Sequence, residues 1–208
     1  MRSNLLILFF TFTSLTLQAQ QSVETEVQQC FDNYKAAILE GRGEDAARLI
    51  SQSTEDYYTK MRKVTLNADS AEVSGMGLID KLLVLIARLK VSRSEMEAMD
   101  GIGFFVYAVD EGMVGKESVI NLELGNVEVT GNSATGQITV NGQATPLSFT
   151  FYREGPWKLD LTSIFDGTSA ALNQMVQQSG MAENAFIMLT LQGLTGTYPD
   201  PDIWHPDR

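Results

Sequence analysis

Few residues of this chain have the chemistry of a nucleophile or a metal ligand. Its 208 residues include one cysteine and one histidine. Cys30 lies on the apolar stripe of a predicted helix, and this position is typical of a buried, unreactive thiol. The histidine, His205, lies in a tail rich in proline and aspartate, where a metal site is the less favoured alternative because the spacing matches no calcium-loop pattern. We therefore predict no metal and no cofactor, and the absence of a Gly-x-Ser-x-Gly motif disfavours nucleophilic hydrolysis.

The charge balance argues against a nucleic-acid partner. The chain has 15 Lys and Arg against 26 Asp and Glu, a net charge of −11, whereas phosphate recognition needs clustered cations. Hydrophobic residues make up 44% of the chain and charged residues 20%, which is ordinary for a globular domain.

The first twenty residues have the pattern of a secretory signal peptide. Arg2 precedes an apolar run of about 13 residues that ends near Ala19, shorter than the ~20 residues of a spanning helix. We expect cleavage, a periplasmic or secreted location and no membrane association afterwards; an uncleaved anchor is the alternative. The predicted organisation is a signal peptide over 1–20, a single domain over 21–194 and an extended tail over 195–208.

Helical periodicity dominates the first half of the mature chain. Apolar residues three and four apart predict a helix from Val23 to Ile38, then a short helix over 46–50 and another from Thr54. The most apolar stretch, Leu78 to Leu89, predicts a core helix. One solvated face of that helix is assigned to its charged residues, which are Asp80, Lys81, Arg88 and Lys90.

One further helix start and one break are predicted before the sequence changes character. Ser94 and Glu97 have the spacing of a capping box and should open a helix. Gly101 and Gly103 weaken that helix, which predicts a break before Phe104.

Alternating apolar and polar residues replace the helical pattern after Gly115. Asn141-Gly142 between two alternating runs predicts a two-residue type I′ hairpin. Four strands joined by tight turns and ending near Leu161 predict an antiparallel meander with one apolar face. A helical pattern interrupted at Gly180 comes after the strands. Helices, then strands, then helices without βαβ alternation predict an α+β fold.

Two stretches together resemble a known superfamily. They are AAILEGRGEDAARLIS near the amino terminus and ATGQITVNGQATPLSFTFYREGPWKLDL, which ends in Trp157-Lys158-Leu159-Asp160. This pairing resembles the nuclear-transport-factor-two-like superfamily, which includes SnoaL-like and ketosteroid-isomerase-like proteins, and the leader suggests an exported bacterial member. The resemblance spans roughly residues 23–165. It implies a cone-shaped, cystatin-like fold, with amino-terminal helices on a curved antiparallel sheet and extra helices in the middle and at the carboxy terminus.

Such a cone implies an apolar pocket, used in the superfamily for binding or for catalysis. We expect a non-catalytic exported module that binds a small apolar ligand or a protein partner through the pocket or the sheet face. The residues assigned to ligand binding are aromatic: Phe31, Tyr34, Tyr58, Phe149 and Trp157. The resemblance also implies a possible homodimer through the open face of the sheet.

The alternative function is that of an isomerase-like or cyclase-like enzyme. Relatives of that kind use a carboxylate base with a tyrosine donor, and the candidates here are Asp160, Asp110 and Tyr57. Strand alternation places Asp160 either on the outer sheet face or inside a cone. A solvated or ion-paired carboxylate is the favoured role for Asp160, because carboxylates are seldom buried without a partner.

Overall fold

A computed structural model of the protein describes residues 5–206, with side chains from Val23 onwards. Residues 1–4 of the predicted signal segment, and the side chains of the rest of it, lie outside that description. The α-helices are α1 (Leu5–Glu40), α2 (Gly43–Ala47), α3 (Gln52–Asn67), α4 (Ser70–Ser74), α5 (Leu78–Lys90), α6 (Arg93–Ala98), α7 (Gly101–Asp110), α8 (Phe165–Ser179) and α9 (Glu183–Thr195). The strands are β1 (Leu122–Thr130), β2 (Ser133–Val140), β3 (Gln143–Arg153) and β4 (Trp157–Asp160).

The four strands form one antiparallel sheet in the order β1-β2-β3-β4. Between β2 and β3, Asn141 and Gly142 have φ angles of 51° and 74°, both in the left-handed region that a type I′ turn requires. A bulge between Leu124 and Val127 bends β1. Helices before the sheet, the sheet itself and helices after it confirm the predicted α+β class.

One face of the sheet carries the core. Its alternate residues are buried, namely Leu124, Ala134, Ile138, Phe149, Phe151, Trp157 and Leu159. Helix α1 contacts β1 and β4 on this inner face, and the rings of Phe31 and Phe149 are 5.8 Å apart. The apolar stripe of α1, spaced by three and four residues, therefore packs against the apolar half of the strand alternation.

The opposite face of the sheet is polar. Its exposed side chains include Glu123, Glu128, Thr135, Gln137 and Ser148. The strand alternation thus separates a core face from a hydrophilic one, as in antiparallel sheets that leave one side to solvent.

The edge of β4 is paired with the segment after α2. Ile50 forms a parallel bridge with Leu159; the amide of Ser51 donates to the Leu159 carbonyl at 2.9 Å, and the Leu159 amide donates to the Leu49 carbonyl at 2.8 Å. The prediction of a helix over 46–50 is therefore wrong beyond Ala47. Pairing to the sheet satisfies backbone groups that one more helical turn would have used.

Two predicted boundaries around α6 and α7 are shifted. The capping box is formed by Ser92 and Glu95, with the Ser92 amide donating to the Glu95 carboxylate at 2.9 Å, rather than by Ser94 and Glu97. The break predicted before Phe104 lies at Met99 and Asp100, between α6 and α7, and α7 begins three residues earlier than predicted, where the Asp100 side chain accepts from the Gly103 amide at 2.7 Å. Ser92 and Ser94 stand two residues apart before α6, and only the backbone geometry selects between them.

Gly101 is required where α7 crosses α3. A Cβ at this position would lie 2.5 Å from the Cα of Thr59, so only glycine lets the two helices come this close. Glycine here is a packing feature of the first turn of α7.

The carboxy-terminal tail is folded onto the domain. Gly180, with a φ of 67°, separates α8 from α9 as the interrupted pattern predicted. The tail forms a 3-10 turn over Pro201–Trp204, and Ile203 is fully buried. Within the tail that was predicted to be extended, residues 201–204 form this turn instead, and the burial of Ile203 anchors it to the domain.

Within residues 5–206, no helix combines the length and the apolar character needed to cross a membrane.

Candidate functional site

Three tyrosines and one aspartate from separate parts of the chain form a group that we call the tyrosine cluster: Tyr34, Tyr57, Tyr58 and Asp80. Tyr34 lies on α1, Tyr57 and Tyr58 lie on α3, and Asp80 lies in the first turn of α5. Helix α3 buries Thr54, Tyr58, Met61 and Thr65, one stripe at helical spacing, and this places Tyr58 in the interior.

Aromatic rings surround the cluster at edge-on angles. The Tyr57 and Tyr58 rings are 5.5 Å apart at 90°, and Tyr57 meets Phe165 at 4.9 Å. Tyr58 also packs against Phe104 at 5.9 Å and Phe105 at 4.9 Å. Each edge-to-face pair adds about 0.5–1.5 kcal/mol beyond its area burial, so these rings are held in place.

The three tyrosine hydroxyls differ in how they are satisfied. The Tyr57 hydroxyl donates to a carboxylate oxygen of Asp80 at 2.8 Å. Tyr34 and Tyr58 retain 3% and 6% of their surface, and neither hydroxyl hydrogen-bonds to another residue of the described part of the chain. Among the described residues, the one fully buried side-chain nitrogen or oxygen without a partner is the Trp157 indole nitrogen, so the Tyr34 and Tyr58 hydroxyls are unpaired donors that are not sealed from their surroundings.

Burial keeps all three tyrosines protonated. It is the largest cause of the raised pKa of Tyr34, followed by the nearby Tyr58 hydroxyl. Burial also raises the pKa of Tyr58. For Tyr57, burial comes first and the Asp80 carboxylate second in raising the pKa. The cluster therefore presents neutral phenols, which can donate hydrogen bonds to a ligand oxygen.

The other aromatic residues assigned to ligand binding lie in the core beside α1. Phe31 and Phe149 pack against each other, and Trp157 stands at the start of β4. The indole N–H of Trp157 is a buried donor with no hydrogen-bond acceptor among the described residues. A ligand-binding role for these three residues stays a prediction.

Asp160 is buried, so the favoured role of a solvated or ion-paired carboxylate is wrong. Its Oδ1 atom accepts hydrogen bonds from the Thr162 amide at 2.9 Å, the Thr162 hydroxyl at 2.7 Å and the Thr54 hydroxyl at 3.3 Å. Asp160 thereby caps the 3-10 turn after β4. No tyrosine hydroxyl of the described chain donates to it.

Asp110 has a local role at the start of α2. Its Oδ1 atom accepts from the Gly43 amide at 2.7 Å. A Cβ on Gly43 would lie 2.5 Å from the Val106 carbonyl oxygen, so α2 and α7 meet closely here. Asp110 is exposed, and its hydrogen bond is made to Gly43 rather than to a residue of the tyrosine cluster.

Cys30 is buried and hydrogen-bonded. Its thiol donates to the Trp157 carbonyl at 3.2 Å, and burial raises its pKa from 9.0 to about 11. The expected burial of this thiol is therefore confirmed.

The sequence did not mark Asp80 as a partner of the cluster, and the predicted solvated face of α5 is wrong for two of its four residues. Lys81 and Arg88 are buried. Lys81 pairs with Glu183 at 2.5 Å, and Arg88 donates to backbone carbonyls. Asp80 and Tyr57 are 23 residues apart, and no local pattern links them. Phe104, Phe105 and Phe165, whose rings pack against the cluster, were also missed.

Two surface cavities lie away from the cluster. One of about 510 Å³ is lined by residues of α5, α6 and the tail, including Arg88, Arg93 and Pro206. The other, of about 530 Å³, is lined by charged residues such as Glu55, Asp100 and Lys158. In the described chain, no three histidine, cysteine or acidic side chains are grouped as metal ligands would be.

Comparison of the chain with protein-family models, curated proteins and solved structures finds no match.

Proposed function

We propose that the protein is a non-catalytic binding module that holds a small, largely apolar ligand between α1, α3 and the inner sheet face. The observation that carries the proposal is the pair of neutral tyrosines, Tyr34 and Tyr58, which lie among aromatic rings and whose hydroxyls make no hydrogen bond within the described chain. A ligand oxygen placed between them would satisfy both, and the surrounding rings would cover its apolar body.

The ligand class follows from the lining of the cluster. Neutral phenol donors favour a carbonyl, ether or hydroxyl oxygen, and aromatic walls favour a flat or ring-shaped body. The resemblance to the nuclear-transport-factor-two-like superfamily, in which a cone encloses an apolar pocket, supports the same proposal. Export by the predicted signal peptide would place the module in the periplasm or outside the cell.

The decisive experiment removes single hydroxyls and measures binding and stability together. Native mass spectrometry tests for a retained molecule, and fluorescence titration with a naphthol supplies a defined aromatic probe with one hydroxyl. Tyr34→Phe and Tyr58→Phe should each lower the affinity for naphthol about tenfold, because each removes one hydrogen bond to the probe. In the unliganded state both variants should unfold with a free energy close to that of the wild type, because neither substitution removes a hydrogen bond within the described chain.

Tyr57→Phe is the matched control. It removes one hydroxyl from the same cluster, but that hydroxyl is bonded to Asp80, so we expect a loss of about 1 kcal/mol in unfolding free energy. Wild-type naphthol affinity in both Tyr34→Phe and Tyr58→Phe, with no retained molecule in the wild type, would overturn the proposal.

The enzyme alternative is favoured by one observation, the bond between Tyr57 and Asp80. Asp80 is a carboxylate bonded to a tyrosine, and two further tyrosines lie beside it. Under this alternative Asp80, rather than Asp160 or Asp110, would be the base. Under this alternative the protein would exchange the acidic hydrogens of a β,γ-unsaturated ketone for deuterium, as measured by NMR. Asp80→Asn should then abolish the exchange, and Asp160→Asn should not. If the wild type exchanges no faster than buffer alone, the enzyme alternative is excluded and the binding function stands.

A further inference from the structure

The tyrosine cluster exposes too little surface to receive a ring-shaped ligand in the conformation described above. Tyr34 and Tyr58 retain 3% and 6% of their surface, whereas a ligand site buries most of the surface of a small molecule against its walls. If the cluster is the ligand site, one of the elements that cover it must therefore move when the ligand enters.

The elements around the cluster differ in how firmly they are anchored. Helices α1, α3, α5 and α7 each bury several residues, and Phe104 and Phe105, the α7 rings that pack against Tyr58, are fully buried. Helix α8 supplies the remaining ring contact, from Phe165 to Tyr57, and none of its fifteen residues is buried. Movement of α8 is therefore the least costly way to uncover the cluster.

The side of α8 that faces the domain carries a sparse apolar stripe. Phe165, Leu172 and Val176 are half-buried at helical spacing, and they are not among the residues that pack against the buried core. Within the described chain, no side chain of α8 forms a hydrogen bond or an ion pair with another helix or strand. A segment with so few buried contacts opens locally at a low free energy.

Both ends of α8 are joined to fixed parts of the fold. Before the helix, the Ser163 hydroxyl accepts from the Thr150 amide of β3 at 3.0 Å. After it, Gly180 has a φ of 67°, and α9 is anchored by the buried side chains of Ile187 and Leu191. Because hinges are residues at the ends of elements that absorb changes in φ and ψ, α8 can move as a unit while its neighbours stay in place.

We propose that α8 is a lid over the tyrosine cluster and that Phe165 closes it, a role that rests on the proposed function. The Phe165 ring meets Tyr57 at 4.9 Å and 70°, which is the edge-to-face contact that a flat ligand would make with the same tyrosine. Phe165 thus occupies the entrance until a ligand displaces it. The exposed asparagine, glutamine and serine side chains of α8 stay solvated in either position of the lid.

The rate of naphthol association, measured by stopped-flow fluorescence, tests the closing role of Phe165. Phe165→Ala should raise this rate about tenfold, because the open state becomes the more populated one. Phe186→Ala is the matched control: Phe186 is half-buried on α9, and within the described chain its ring makes no contact with the cluster. Circular dichroism melting confirms that each variant folds. If Phe165 were only a wall of the site, Phe165→Ala would leave the association rate unchanged and raise the dissociation rate.

A reversible cross-link tests whether the start of α8 must move. A Cβ on Gly167 would overlap the Leu147 side chain of β3, so the variant that combines Gly167→Cys with Leu147→Cys brings two thiols within reach of a disulfide. The oxidised variant should bind naphthol about tenfold more slowly than the same protein after reduction. The native Cys30 is buried and does not compete, and the reduced variant is the control for both substitutions.

Hydrogen exchange tests the lid without any ligand. The amides of α8 should exchange about 100-fold faster than those of α3 and α7, since a lid opens without unfolding the core. Oxidation of the cross-linked variant should slow the exchange of α8 and leave that of α7 unchanged.

Two results would overturn the lid alone: protection of α8 equal to that of α3, and wild-type association rates in both Phe165→Ala and the oxidised cross-linked variant. In either case a loss of affinity in Tyr34→Phe and Tyr58→Phe would leave the ligand site standing. Naphthol binding by Phe165→Ala but not by the wild type would support the lid. Failure of both proteins to bind naphthol would count against the ligand site and the lid together.

Discussion

Asp160 shows how one carboxylate oxygen can organise a chain reversal. Its Oδ1 atom receives the Thr162 amide and hydroxyl and the Thr54 hydroxyl, which joins the end of β4 to the start of α3. The group that looked most like a catalytic base in the strand pattern is engaged in holding two elements together.

Substitution of Asp160 separates a structural role from a catalytic one. Asp160→Ala removes all three acceptor contacts and should lower the unfolding free energy by about 2 kcal/mol in urea denaturation. Asp160→Asn keeps a carbonyl oxygen at the acceptor position and should cost clearly less. The exposed Asp166 is the control, and its alanine variant should remain within about 0.5 kcal/mol of the wild type. Equal losses for Asp160→Asn and Asp160→Ala would show that the charge, rather than the acceptor, matters.

Cys30 predicts a specific dependence of stability on pH. Burial raises its pKa from 9.0 to about 11, so the folded state disfavours the thiolate. The stabilisation by the protonated thiol is complete below pH 9 and is lost as pH rises toward about 11. Between about pH 9 and 10, before most tyrosines ionise in the unfolded chain, the unfolding free energy should fall by about 1 kcal/mol.

The matched measurement is the same pH series on Cys30→Ala. The difference between wild type and variant should shrink across that interval, because alanine has no thiol to ionise. A constant difference from about pH 7 to pH 10 would contradict the raised pKa.

Among the helices, α5 joins parts of the chain that are distant in sequence. The Arg88 guanidinium donates to the carbonyls of Thr65 at 3.0 Å and Ala68 at 2.6 Å, at the end of α3. It also donates to the carbonyls of Ile203 at 3.3 Å and Trp204 at 2.8 Å in the tail. One side chain thus fixes the tail to the helical layer.

Arg88→Met should release the tail. The variant keeps an apolar stem but leaves four carbonyls without this donor, and we expect a loss of about 3 kcal/mol in unfolding free energy. Limited proteolysis should cleave the tail of the variant well before the domain. Lys90→Met, on the same helix but exposed, should leave both readouts unchanged; a protected tail in Arg88→Met would show that Ile203 burial alone suffices.

Across the molecule, polar and apolar surfaces are divided among three regions. The inner sheet face and the helices enclose the core with its tyrosine cluster. The outer sheet face is hydrophilic, and the exposed side of α8 carries amide and hydroxyl side chains around Met175.

Local patterns in the sequence were sufficient for the fold class and for several elements. The strand meander and the Asn141-Gly142 turn are confirmed because alternation and turn chemistry depend on neighbouring residues. The boundaries of α6 and α7 were displaced by a few residues, since Ser92 and Ser94 offer competing caps. The cone-like family, the export and the ligand stay predictions.

The order of helices and strands, and the apolar faces that they bury, could be obtained from the residues alone. Three contacts required the packed molecule: the bond between Tyr57 and Asp80, the burial of Arg88, and the turn capped by Asp160. The reason is physical. Periodicity specifies which side of an element is apolar, whereas a hydrogen bond between distant residues depends on the distance and angle at which two packed elements meet.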